Sequence, residues 1–202
     1  MSESEKGITP LSTGVFARPV GFVFDFYLNG EIETPDNYVE WNHIIRSAAD
    51  GDTIQLHINS YGGDIMTAIQ LMRSLSETRA HVVASVEGAC MSAATCIFLV
   101  ADSFEISDHS MFMFHNYSGF TAGKGHEMVE QIVHEEKWSK NLLSKIYDKF
   151  LTEVEIEAIA GGRDIWMTPE EVGERLTKRM TPEEEVPEKK KRQKKVQQPV
   201  KP

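Results

Sequence analysis

Residues 82–100 read Val-Val-Ala-Ser-Val-Glu-Gly-Ala-Cys-Met-Ser-Ala-Ala-Thr-Cys-Ile-Phe-Leu-Val. A strand-like run, Val82–Val86, meets a patch of small residues around one thiol and one hydroxyl, Cys90 and Ser92. An apolar run from Cys96 then continues as a buried helix. A helix that starts among small residues beside a lone Ser or Cys presents a nucleophile to a cleft. The same small residues also serve as a tight packing contact, so this stretch alone leaves both the role and the atom open.

The unit extends in both directions. Upstream, Phe22–Leu28 is strand-like and ends at the turn signal Asn29-Gly30. Tyr38, Trp41, Ile44, Ile45 and Ala48 then recur at helical spacing. Asp50-Gly51-Asp52 closes that helix, and Thr53–Ile58 alternates like a second strand. Asn59-Ser60-Tyr61-Gly62-Gly63 follows, then a helical pattern through Ala68, Ile69, Met72 and Leu75. Downstream, Phe104–Ile106 and Met111–Phe114 are short strands, the second ending at His115, and Gly119, Gly123 and Gly125 punctuate the next loop. A long amphipathic helix is predicted over 127–150 and a shorter one over 152–159, up to the break Gly161-Gly162. In the last helix Thr168 is the N-cap, Pro169 the first helical residue and Glu171 the partner in a capping box. Strands alternating with helices predict an α/β domain with mainly parallel pairing.

The composition narrows the function classes. The chain has 202 residues, 41% hydrophobic and 26% charged, which fits one domain with an ordinary core. The organisation expected is a flexible arm over 1–19, a folded domain over 20–180 and a disordered charged tail over 181–202. That tail holds seven Lys/Arg and four Asp/Glu, so a net charge of −10 overall leaves −13 on residues 1–180. An acidic body is the wrong surface for phosphate neutralisation, and no nucleic-acid partner is expected. No apolar run reaches membrane-spanning length, and the polar, acidic start is unlike a secretory signal. Two cysteines, Cys90 and Cys96, make no disulfide framework, and a reducing cytoplasm is the simplest setting.

Three segments fall at the ends of predicted strands, where open α/β sheets place their sites: Asn59–Gly63, Gly88–Ser92 and His115. Paired glycines let backbone N–H groups approach a ligand, and a helix N-terminus adds partial positive charge, which together make an oxyanion hole. A Gly-Gly pair by itself marks a turn; beside Ser92 at a helix start it gains weight. His115 closes an apolar strand and is the candidate base, although a histidine at the edge of a core is also an ordinary structural residue. Asp164, in a Gly-rich bend before Trp166, is the candidate acid. No histidine pair has metal-ligand spacing, and no cofactor is expected. Ser92 does not sit in the G-x-S-x-G elbow of the α/β-hydrolases, and the order Ser, His, Asp differs from theirs. Geometry and role define such a triad, so the order excludes nothing.

In sequence, these segments resemble the proteolytic subunit of the Clp protease, the ClpP-like serine peptidases. Asn59–Gly63 is similar to the family's Asn-Ser-Pro-Gly-Gly, and Gly88–Ser92 to its Gly-x-Ala-Ala-Ser. Phage-borne members are closer in the pattern Val-Glu-Gly-x-x-x-Ser-Ala-Ala and in the Ser-to-His separation. Met111–His115 resembles the strand ending in the catalytic histidine, Gly119-Phe120 the substrate-binding strand, and Trp166–Glu171 the stretch that follows the acid. The similarity spans roughly residues 20–178.

The resemblance implies a ClpP/crotonase-type spiral of ββα units with a long protruding helix, and a serine endopeptidase with Ser92 as nucleophile, His115 as base and Asp164 as acid. Gly63 and Ala93 (Met91 if the register differs) would form the oxyanion hole, and Gly119 and Phe120 would bind substrate. It further implies a homo-oligomer of heptameric, possibly stacked rings acting on unfolded polypeptides or peptides. These would be fed by an ATP-dependent unfoldase, or the protein would act as a phage head-maturation peptidase. Tyr61 in place of proline, the bulkier Cys90 and Met91, and the short Asp164–Trp166 separation depart from the family pattern. Two rivals are an inactive ClpP-like assembly subunit and a crotonase-type acyl-CoA enzyme.

Overall fold

The computed structural model describes residues 21–181. The arm expected over 1–19 and, apart from Thr181, the tail expected over 181–202 lie outside the described residues. In chain order the elements are β1 (Val23–Ile32), a 3-10 turn (Pro35–Tyr38), α1 (Val39–Ser47), β2 (Thr53–Gly63), α2 (Ile65–Glu77), β3 (His81–Met91) and α3 (Ala93–Phe98). β4 (Ser103–Ile106), β5 (Met111–Phe114), α4 (Gly125–Ile146), α5 (Glu153–Ala160), β6 (Ile165–Met167) and α6 (Pro169–Met180) follow.

β1, β2 and β3 run parallel in that order, with α1 and α2 as crossovers. β3 is the hub. One of its edges takes β2, and the other is shared by β4, opposite Val83–Val86, and β5, opposite Ala89–Met91. β6 then adds antiparallel to β5. Period-two alternation decides which face is buried: Phe26 and Leu28, Ile54, Leu56 and Ile58, and Val82, Ala84 and Val86 point into the core. Against them pack Ile45, Leu71, Leu75, Ile97 and Phe98. Each such side chain contributes about 1.5–3 kcal/mol by leaving water. A buried polar bridge joins the two crossover helices: Ser74 donates to Asn42 Oδ1 at 2.6 Å and accepts from Arg46 Nε at 2.9 Å.

The α/β class, the parallel pairing and the Thr168/Glu171 capping box agree with the sequence reading. Asn29-Gly30 does not. β1 runs through it to Ile32, with a bulge between Gly30 and Glu31 absorbing the irregularity. Pairing with a long neighbouring strand outweighs the local turn preference. Asn59–Gly63, placed at the end of a predicted strand, is the last part of β2 itself, paired alongside β1. The long helix closes at Ile146, four residues before the predicted end, and Phe150 and Leu151 are buried just beyond it.

Candidate active site

Ser92 stands between β3 and α3 with φ +54° and ψ −128°, a conformation that L-residues rarely adopt. It is held from both sides. Its N–H donates to the Met113 carbonyl at 2.8 Å, and its own carbonyl accepts from Thr95 N–H at 3.0 Å and Thr95 Oγ1 at 2.6 Å. Its side chain does not cap the helix. Oγ instead meets His115 Nε2 at 2.5 Å. β5 pairs with β3 through Ala89–Met91, which carries the residue after Phe114 to the serine.

Asp164 reaches the same place by register. The antiparallel pairs Phe112–Met167, Met113–Trp166 and Phe114–Ile165 make Asp164 the next residue opposite His115. Its Oδ1 lies 3.8 Å from His115 Nδ1, an ion-pair separation longer than a hydrogen bond, and its side chain is about half exposed. The short Asp164–Trp166 spacing is thus that of a strand end: the ladder, and not the local sequence, brings the acid to the histidine.

The glycine motif completes the wall. Ser60 Oγ donates to the Gly30 carbonyl at 2.6 Å and accepts from Gly62 N–H at 3.1 Å, while Asn59 Oδ1 accepts from Ala89 N–H at 3.0 Å. These bonds stitch the end of β2 to β1 and β3. Gly62 has φ +93°, and a Cβ there would fall 2.6 Å from Ser92 Cβ and 3.0 Å from Ala93 N. Only glycine permits so close an approach. Asp64 N–H donates to the Ile32 carbonyl at 2.8 Å, which ties the chain just past Gly63 to β1. Gly63 and Ala93 both line a cavity of about 270 Å³ together with Ser92 and His115. Met91, the other oxyanion candidate, is paired within the β3–β5 ladder.

The two thiols are inert. Cys90 and Cys96 are fully buried, and burial pushes both pKa values up, so neither presents a thiolate. Cys96 instead lies near Tyr147, whose hydroxyl hydrogen-bonds to Thr95 Oγ1 at 2.8 Å beneath the cavity.

Gly119 and Phe120 lie in the glycine-punctuated loop read from the sequence, without the strand that the family resemblance implies. Residues 115–124 form no strand, Phe120 is 90% exposed, and both residues line a neighbouring cavity of about 310 Å³. An extended segment needs a strand edge to pair with, and none runs beside it among the described residues. The sequence reading also missed the far wall of the Ser92 cavity: Asn116, Tyr117, Leu142, Leu143 and Ile146. The helical spacing of the apolar residues on α4 was visible in the sequence, but nothing local said that they face a cavity.

An α/β sheet that brings a strained serine, a histidine and a carboxylate to adjacent strand ends beside a cavity has the geometry of a hydrolase of the acyl-transfer type. The Clp protease family model matches residues 33–175, and the chain belongs to that family. It is a peptidase. A search of curated proteins returned no match. No helix among the described residues is long and apolar enough to cross a membrane.

Proposed function

We propose that the protein is a serine endopeptidase in which Ser92 attacks the peptide carbonyl, His115 takes and returns the proton, and Asp164 orients the imidazole. The observation that carries this reading is the 2.5 Å contact between Ser92 Oγ and His115 Nε2 at the mouth of a cavity. In the first step His115 Nε2 accepts the Ser92 proton as Oγ bonds to the carbonyl carbon. The oxyanion accepts from the Gly63 and Ala93 N–H groups, the second being an unpaired donor of the first turn of α3. His115 then gives the proton to the leaving amine, and water hydrolyses the acyl-enzyme with His115 again as base. Each oxyanion donor is worth about 3–4 kcal/mol of the barrier. At 3.8 Å, Asp164 stabilises the imidazolium by charge, and it closes to hydrogen-bonding distance as that charge develops.

The Clp protease family forms oligomeric rings that act on peptides, and two surfaces support the same state here. The first half of α4 exposes Val129, Ile132 and Val133, and Tyr27 and Tyr61 are exposed on a face of the parallel β1–β3 sheet that no helix among the described residues covers. Rings of this chain, heptameric and stacked, would enclose the serines and admit only unfolded polypeptide. The chain holds no Walker loop, so ATP would belong to an unfoldase partner; the motif likeness to phage-borne members supports a head-maturation peptidase instead. One observation favours a second reading, an inactive assembly subunit: the acid stands off from the histidine.

A fluorophosphonate probe tests the proposal, with peptide mass spectrometry locating the adduct and native mass spectrometry reading the assembly. Stoichiometric labelling of Ser92, abolished by Ser92→Ala and His115→Ala, is expected. An assembled ring that fails to label would favour the inactive subunit.

A further inference from the structure

The cavity beside Ser92 and the one beneath Gly119 and Phe120 are neighbours, and they share Asn116, Tyr117 and Ser139 in their walls. Of these, Tyr117 carries the large side chain, and it is held on three sides. Its hydroxyl donates to Glu135 Oε2 at 2.9 Å, its ring meets Trp138 edge-on at 5.7 Å, and Gly119 leaves room on the remaining side. A Cβ on Gly119 would stand 3.2 Å from Tyr117 Cε2. Glu135 is itself fixed, accepting from Gln131 Nε2 at 2.7 Å, while Thr121 Oγ1 donates to Gln131 Oε1 at 2.7 Å. The chain of bonds runs from the loop after His115 to α4 and back to the loop.

We infer that Tyr117 is a partition that limits the length of the side chain accepted beside Ser92. Leu142, Leu143 and Ile146 line the site cavity on the α4 side, so an apolar side chain is solvated there by hydrocarbon. A compact one, such as leucine, fills the first cavity and stops at the tyrosine ring. A long rigid one, such as biphenylalanine, meets the ring and cannot displace it without breaking the Glu135 hydrogen bond and the Trp138 contact. Truncating Tyr117 joins the two cavities. The inference rests on the serine-peptidase reading and assigns that site its acyl-side preference.

The test uses two peptidyl aminoalkyl phosphonate diphenyl esters, which label an activated serine and differ only in carrying leucine or biphenylalanine next to phosphorus. A small fluorophosphonate reports separately whether Ser92 is active in each variant. In the wild type the leucine probe is expected to react about tenfold faster or more. Tyr117→Ala and Tyr117→Leu are each expected to shrink that ratio about tenfold, and Tyr117→Phe, which keeps the ring, to hold it. An unchanged ratio in the Ala and Leu variants, with Ser92 still labelled by the small probe, would overturn the partition. Equal rates for the two probes in the wild type would do the same. Failure of the small probe in the wild type would remove the serine-peptidase reading, and this inference with it.

Discussion

Among the histidines that sit beside carboxylates, His57 and His115 have settings that make opposite kinds of residue. On the open face of the sheet, His57 is gripped at both ring nitrogens, by Glu87 Oε1 at 2.5 Å and Asp25 Oδ1 at 3.0 Å, with Tyr27 stacked over it. Hydrogen bonding to Asp25 leads the causes that raise its pKa, with Glu87 adding to it. At the strand ends, His115 gives one nitrogen to a hydroxyl and the other to a carboxylate 3.8 Å away. A ring with anions on both sides is stabilised as imidazolium and has no free nitrogen with which to accept a proton. The His115 ring instead meets a hydroxyl at one nitrogen and a single, more distant acid at the other. The same residue type thus fastens three strands in one place and is the candidate base in the other.

The largest effect that separates the two settings is on turnover. His115→Ala is expected to lower kcat/KM for a fluorogenic peptide by about four orders of magnitude, and His57→Ala by less than about threefold. Comparable losses from both would end the distinction. Asp164→Asn is expected to cost roughly a hundredfold in kcat, less than a tightly bonded triad acid, because this carboxylate is half exposed and stands off from the ring. The Gly62→Ala variant would place a methyl against Ser92 in a backbone conformation that alanine resists. An order of ten- to a hundredfold lower fluorophosphonate labelling rate, in a protein that still folds, is the expected outcome.

Charge pairs away from the site sharpen the contrast through stability. Glu155 closes the capping box of α5 with Thr152 and holds Arg175 at 2.7 and 2.9 Å. The Arg175 hydrogen bonds are the main cause that lowers its pKa from 4.5 to about 2. A depressed carboxylate contributes stability that is full above pH 4.5 and is lost as pH falls toward 2. Glu155→Gln is therefore expected to cost about 2–3 kcal/mol in denaturant melts at pH 7, with the gap to wild type closing as the solution is acidified through that window. His57 has the opposite sign. Its raised pKa makes its contribution full below 6.5 and lost as pH rises through the folded value. The smallest effect follows: His57→Asn is expected to lower Tm by a few degrees at pH 6 and by less at pH 9. A Tm difference that grows with pH would contradict the double-carboxylate grip.

Much of this was readable in the chain. The alternation of Ile54, Leu56 and Ile58, the helical spacing around Ala68 and Leu75, and the Thr168–Glu171 capping box rest on periodicities and local hydrogen bonds that sequence expresses directly. Ser92 and His115 stood out because small residues and a strand end are local signals. The turn read at Asn29-Gly30 went astray because whether a segment extends depends on the edge it pairs with, which lies far away in sequence.

The sequence by itself thus determined the α/β class, the order of the elements and the family, and it singled out Ser92 and His115 as candidates. Tertiary structure decided three things. It set the position of Asp164 through the β5–β6 register, the closeness of Gly62 to Ser92 through the packing of the β2 and β3 ends, and the division of the cavities by Tyr117 against α4. Each is a contact between residues distant along the chain or a register between strands, and no local preference encodes a distance across the fold.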